Sequence, residues 1–440
     1  MINYPSSLIV EPLKSVPDCT IAVPGSKSIT NRAMVLAALA EGESTLVGAL
    51  DSEDTRVMAD CLSKLGFDVA ANPVAETIRI VGRGGAISAS QADLFLGNSG
   101  TSIRFLTALT ALGNGTFTLD GVERMRMRPQ QELITALCEL GVDIRSSNNE
   151  HPGCPPLLVK AKGNLKGGTV KLNATASSQF LTALLMAAPY AQTDLTIEIV
   201  GDLRPFYVEI TTKMMRAWGV ETSTLAAPMR FHTRCGQKYT AQASYQIEPD
   251  ASSASYMFGA AAVTGGSITV SGLGANALQG DVRFATDVLV EMGCKVNCSD
   301  AGITVSGPAD GRLKGVDRDM SAISDTSLTL AAIAPFADSP TTIRNIAHAR
   351  KQECDRISAA CTELAKLGVT VEEREDGLKI WPLNGKGILP TAIETYKDHR
   401  VAMSMALIGL KSPGVEILDP GCVVKTFPDY WQRLDLLRMG

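Results

Sequence analysis

A basic excess is missing from this chain. Its 440 residues carry 41 Lys and Arg against 46 Asp and Glu, a formal charge of -5. A general nucleic-acid surface needs the opposite balance, so no nucleic-acid partner is expected. Aromatic residues make up only 5% of the chain, too few for the stacking platforms that hold single strands. Four histidines occur, none in a ligand spacing of the HExxH kind, so no metal site and no metal cofactor are expected. Ten cysteines are scattered without a CxxC pair. A chain of this length needs no covalent staples, and they read as reduced thiols. The N-terminal stretch Met1–Val10 has no basic region followed by a long apolar run, and no segment reaches the roughly 18 apolar residues of a membrane span. The expectation is a cytoplasmic protein with no membrane partner.

What the chain does have is a repeat. Six helices end in an apolar residue and glycine: Leu65-Gly66, Leu140-Gly141, Trp218-Gly219, Met292-Gly293, Leu367-Gly368 and Met439-Gly440. The glycines are 75, 78, 74, 75 and 72 apart. Polar residues open six apolar helices in phase with them, near Ser26, Ser99, Ser177, Ala251, Asp325 and Asp398. A repeat this regular implies one unit used six times. It also gathers helix N-termini, each an anion site in waiting.

The first unit shows the plan. Ser26-Lys27-Ser28 opens a helix that turns apolar on all sides through Leu39, as a buried helix does. A strand-like stretch at Ser44–Leu50 follows, then a helix from about Asp54 to Leu65. That second helix places Val57, Met58, Cys61, Leu62 and Leu65 on one face, so its other face is wet. Two short strands complete the unit. The sixth unit lacks its last strands, and Leu8–Glu11 with Cys19–Val23 read as their replacement. The expected division is a lobe at 24–240 and a second lobe made of 1–23 with 241–440. The chain then crosses twice, near Val23–Gly25 and near Ala241–Glu248, which reads as a hinge.

Lys27, Arg32, Arg104, Arg128, Arg356, Arg400 and Lys425 are expected to cluster at helix starts in phase and to face one cleft. So many cations together would repel unless a polyanion bound there. The run GSKSITNR is not a phosphate loop, because it lacks the GxxxxGK[ST] spacing.

The motifs are PGSKSITNR at 24–32, LFLGNSGTSIR at 94–104, RMRMRP at 124–129, SSQFLTALLM at 177–186, DASSASY at 250–256, ECDR at 353–356, DHRVAM at 398–403 and KTFPDYW at 425–431. With them the chain resembles the 5-enolpyruvylshikimate-3-phosphate synthase family of enolpyruvyl transferases. The resemblance implies an α/β, two-lobed inside-out barrel of six βαβαββ units, three per lobe. It implies transfer of the enolpyruvyl group of phosphoenolpyruvate to the 5-hydroxyl of shikimate 3-phosphate through a tetrahedral intermediate, without a cofactor. By the same resemblance Asp325 and Glu353 are the acid–base pair, with Lys27 close to both substrates. Phosphoenolpyruvate falls to Lys27, Gly100, Arg128, Gln179, Arg356, Arg400 and Lys425. Shikimate 3-phosphate falls to Lys27, Ser28, Arg32, Ser177, Ser178, Gln179, Tyr207 and Asp325. The positions of His348 and Gln352 belong to the same set, although many members carry asparagine and lysine there. A phosphate-binding serine of the family aligns near Leu203-Arg204, and Arg204 is expected to supply the charge that Gln352 lacks. Room beside Gly100 implies competition by glyphosate, with Phe105 standing where proline is common. One chain suffices for such a cleft, so a monomer is expected.

Two other readings compete. A UDP-N-acetylglucosamine enolpyruvyl transferase would carry a loop cysteine, and Asn114–Arg128 contains none. A non-catalytic anion-binding protein of the same fold would bind the substrates without releasing phosphate.

Overall fold

A computed structural model describes residues 4–203, 205–226, 228–274, 276–308 and 310–438. Arg204, Met439 and Gly440, which the sequence singles out, lie outside the described residues. Among those described, six small mixed sheets each go with one buried inner helix. The inner helices are Lys27–Leu39, Gly100–Thr110, Gln179–Ala187, Ala251–Thr264, Ser327–Ile333 and His399–Gly409. Residues 29–39 of the first are buried without a break, as its all-round apolar sequence requires. The second helix of that unit, Glu53–Lys64, starts in a capping box between Ser52 and Thr55 and keeps one wet face. The repeat glycines now have a cause. Gly66, Gly141, Gly219, Gly293 and Gly368 sit just past helix ends with φ between 84° and 97°. Only glycine enters that left-handed region without steric cost.

Every sheet has one plan. A central strand pairs parallel with one neighbour and antiparallel with the other. In four repeats the parallel neighbour immediately precedes the inner helix, as in Gln91–Phe95 beside Asn114–Asp120. In the other two it is exchanged. Asp18–Ile21 precedes the helix Lys27–Leu39 but pairs with Ser267–Ser271 of the fourth repeat. Tyr245–Gln246 precedes the helix Ala251–Thr264 but pairs with Glu41–Val47 of the first. This corrects the reading that both N-terminal strands complete the sixth repeat. Ser7–Val10 does so, antiparallel to Val415–Leu418. The parallel place there is already held by Thr391–Ile393, so Asp18–Ile21 fills the vacant edge of the fourth sheet instead.

The chain divides into two compact units, between Pro24 and Gly25 and between Ile247 and Glu248. The second division falls later than the residue 240 boundary read from the sequence. Segment 241–247 is bonded to the first sheet: Thr45 N donates to Gln242 O at 3.0 Å and Ile247 N to Val47 O at 2.8 Å. In the unit Gly25–Ile247, the helix Gly100–Thr110 packs against Lys27–Leu39 and Gln179–Ala187. In the other unit the three inner helices pack pairwise on one another. Sheets cover such helical cores with one face, so strand burial alternates, as along Thr77–Arg83. No helix among the described residues is long and apolar enough to cross a membrane.

Candidate active site

Each unit holds its own cluster of functional side chains. In the unit Gly25–Ile247, Lys27 is the first residue of its helix, and its Nζ lies 3.3 Å from Asp54 Oδ2. Asp54 is buried at the start of the neighbouring amphipathic helix. Arg32 lies one turn further in and is also buried. Its Nε donates to Thr211 Oγ1 at 2.8 Å, its Nη1 to Ser28 O at 2.8 Å and its Nη2 to Tyr207 O at 3.2 Å. The guanidinium also stands over the Phe105 ring, 5.3 Å from its centroid. Burial pulls its pKa down to about 10, partly opposed by Tyr207, so it stays charged at neutral pH. These partners make Arg32 a brace among three helices as well as an expected substrate contact.

Arg128 does not open a helix, contrary to the sequence reading of the cations. It caps the end of the 3-10 turn Met125–Met127. Its Nη1 donates to Asn98 O at 3.0 Å and to Asn98 Oδ1 at 3.2 Å. Gly100 makes this possible, because a Cβ on Gly100 would stand 2.3 Å from Arg128 Nη2. Gln179 opens its helix between two neighbours. It accepts from Arg104 Nη1 at 2.5 Å and donates to Thr101 Oγ1 at 3.4 Å. Ser177 and Ser178 are buried just ahead of it, and Ser177 Oγ accepts from Gln179 N at 3.2 Å.

The other unit is built of charge pairs. Arg356 is the first residue of the helix Arg356–Lys366 and is buried. Its Nε and Nη2 grip Asp398 at 2.8 and 3.2 Å. Its Nη2 also donates to Glu353 Oε2 at 2.9 Å, its Nη1 to Gln352 Oε1, and Asp325 Oδ1 lies 3.5 Å from Nη1. Burial works against its charge, but Asp398 and Glu353 outweigh that and hold its pKa above the ordinary value. Arg400 donates to Asp325 Oδ2 at 2.8 Å and to Asp325 O at 3.3 Å. Lys425 ends the 3-10 turn Pro420–Lys425, again not a helix start, with its Nζ 3.3 Å from Glu353 Oε1. Asp398 accepts from Arg400 N at 2.9 Å, capping the helix His399–Gly409. His348 Nε2 bonds Ser324 Oγ at 2.8 Å, beside the turn that carries Asp325. Cys354 faces Asp398 at 3.5 Å, and burial followed by the charge of Asp398 raises its thiol pKa, which leaves it inert.

Of the predicted residues, Asp325, Gln352, Glu353, Arg356, Arg400 and Lys425 form one bonded network with His348 beside it. Those of the other unit stand in smaller sets: Lys27 on Asp54; Ser28, Arg32 and Tyr207; Gly100 with Arg128; and Ser177 and Ser178 with Gln179. Asp54 and Asn98 were missed, and Asp398 was read only as a helix opener. The acidic first turn after Ser52 could have flagged Asp54. Asn98 lies inside a quoted motif.

Buried Arg356, Arg400 and Lys425 paired with carboxylates, on αβ repeats with positively charged helix starts, suit an enzyme that handles anionic substrates. A family model described as EPSP synthase (3-phosphoshikimate 1-carboxyvinyltransferase) matches residues 14–434. The 3-phosphoshikimate 1-carboxyvinyltransferase of Trichormus variabilis is 50% identical over 417 residues, 94% of this chain and 95% of that one. The chloroplastic enzyme of that name from Brassica napus is 44% identical, over 98% of this chain and 85% of its own. The solved EPSP synthase of Acinetobacter baumannii shares the fold with a TM-score of 0.80 at 24% identity, over 98% of each chain. The chain belongs to the EPSP synthase family, and it is a transferase.

Proposed function

We infer that this protein moves the enolpyruvyl group of phosphoenolpyruvate onto the 5-hydroxyl of shikimate 3-phosphate and releases phosphate, a step of the shikimate pathway towards aromatic amino acids. The observation that carries the reading is the network in which Arg356, Arg400 and Lys425 are shared by Asp325, Glu353 and Asp398. Carboxylates that exchange protons with substrate must be held within reach of it, and such cations fix where they stand.

In the addition half, Asp325 takes the proton of the 5-hydroxyl as the oxygen bonds to C2 of phosphoenolpyruvate. Glu353 delivers a proton to the methylene carbon, giving the tetrahedral ketal. In the elimination half Glu353 takes a proton back from that methyl carbon, the double bond re-forms, the C2–O bond to phosphate breaks and the departing phosphate takes the proton that Asp325 holds. Lys27, held by Asp54, Gly100, Arg128, Gln179, Arg356, Arg400 and Lys425 hold the phosphate and carboxylate of phosphoenolpyruvate. Arginine suits that role because its fork grips either group with two bonds. Ser28, Arg32, Ser177, Ser178, Gln179, Tyr207, His348 and Gln352 hold shikimate 3-phosphate, and Arg204 supplies a cation to its phosphate. The enzyme works as a cytoplasmic monomer without a cofactor, and glyphosate competes with phosphoenolpyruvate.

A phosphate-release assay with both substrates tests this. Release that requires both supports the transfer. Release with UDP-N-acetylglucosamine in place of shikimate 3-phosphate, or tight binding without release, overturns it.

A further inference from the structure

Asp281 belongs to no motif and to none of the roles above. It sits in the 3-10 turn Gly280–Val282, which packs against the helix Ala251–Thr264 and against the turn Ser321–Thr326 that carries Asp325. Its side chain is buried. Oδ2 accepts from Ser252 Oγ at 2.7 Å, while Oδ1 is buried with no hydrogen-bond partner. An ionised carboxylate in that position would be costly, so the geometry favours a protonated group.

The charged groups around it fix what ionisation would do. The turn packed against it carries Asp325, which accepts from Arg400 Nη2 at 2.8 Å; Arg400 Nη1 also reaches Tyr256 Oη at 3.4 Å, one helical turn on from the Ser252 that Asp281 holds, and Asp250 caps that same helix. On the following turn Arg283 and Asp287 pair with each other at 2.9 Å. Burial, then the charge of Asp325, pushes the Asp281 carboxyl up to about 7; the Ser252 hydrogen bond and Arg400 oppose this, and Asp250 adds to it.

We propose that Asp281 is a positioning residue for Arg400: while neutral it leaves that guanidinium to Asp325 and to the anionic substrate, and when ionised its Oδ1 competes for it. Two carboxyls whose surroundings drive their ionisation apart commonly mark a division of roles. Here Asp325 is paired with the arginine, while Asp281 holds the Ser252 hydroxyl and leaves its Oδ1 buried. The inference rests on the reading of Asp325 and Arg400 given above.

The test is the KM for phosphoenolpyruvate of wild type and Asp281→Asn from pH 5.5 to pH 9. The ratio of the two cancels the substrate's own titration. The wild-type value should rise relative to the variant as pH passes about 7, by roughly tenfold if the coupling is worth one pK unit. Ser252→Ala removes a bond that favours the ionised form, so its upturn should move to higher pH. It also keeps the inference testable if Asp281→Asn folds poorly. A thermal readout accompanies the kinetics. A carboxyl whose pKa is raised on folding contributes stability that is present at low pH and lost as pH rises through about 7. The Tm of Asp281→Asn should therefore gain on wild type between pH 5 and pH 7 and level off above. A KM ratio that stays flat across the range overturns the proposal and leaves Asp281 a packing residue. Asp325→Asn separates the two failures: near wild-type kcat there sinks the acid–base reading itself, whatever Asp281 does.

Discussion

The two units hold the cations of the predicted site in different ways. In the unit Gly25–Ile247, Arg32 and Arg128 are bonded to hydroxyl, carbonyl and amide oxygens and Arg104 to the Gln179 amide oxygen, while Lys27 meets the Asp54 carboxylate. In the other unit Arg356, Arg400 and Lys425 are each tied to at least one of Asp325, Glu353 and Asp398. Neutral acceptors orient a guanidinium without cancelling its charge, so the first unit keeps a positive field for a polyanion. Paired carboxylates cancel charge but hold proton acceptors and donors in place. Under the proposed function the first unit retains substrate, and the second adds proton transfer to its own share of retention.

The largest expected effects lie in the paired unit. Asp325→Asn and Glu353→Gln should each lower kcat by about 10² to 10⁴, the usual weight of a general acid or base. Phosphate release under saturating substrate measures this, and near wild-type turnover in both variants would dissolve the division of labour. Next comes Arg356→Ala. It strands the buried Asp398 carboxylate, whose grip by Arg356 it removes. Breaking one side of a buried pair costs about 3–5 kcal/mol, read from urea unfolding. Thr211→Val probes the neutral design. It removes the acceptor of Arg32 Nε, and a hydrogen bond to a charged group is worth about 1.5–3 kcal/mol. A loss from Thr211→Val equal to that from Arg356→Ala would show that neutral and ionic braces are equivalent here.

The parts of this arrangement legible in the sequence are those set by local sterics. Left-handed glycines at helix ends and all-apolar inner helices announce themselves, because each follows from a few adjacent residues. The fold followed from that repeat and from the family motifs. What stayed hidden depends on distant partners. Arg32 and Thr211 are 179 positions apart, Arg400 and Asp325 75 apart, so neither bond has a local signature. The strand exchange was invisible for another reason. Tyr245–Gln246 is too short to show any alternation, and its pairing depends on an edge left open two hundred residues earlier. Arg128 and Lys425 were misplaced because a helix start and the end of a 3-10 turn present similar polar residues in phase with the repeat.

The smallest expected effect is the sharpest test of the neutral unit. Gly100→Ala adds one methyl group, 2.3 Å from Arg128 Nη2 and 2.8 Å from its Cζ. Neither distance is tolerable, and a guanidinium on a flexible stem yields before a helix does. Gly100 lies in the first turn of its helix, where alanine is an excellent residue, so the fold should hold and Tm should change little. Arg128 would then leave Asn98, and the cost should fall on retention of phosphoenolpyruvate and not on proton transfer. A KM for that substrate raised by about tenfold corresponds to about 1.4 kcal/mol. Under this assignment kcat at saturation changes far less than KM. A variant that loses kcat while keeping KM would place Arg128 with the transition state and erase the distinction between a retaining unit and a proton-moving one.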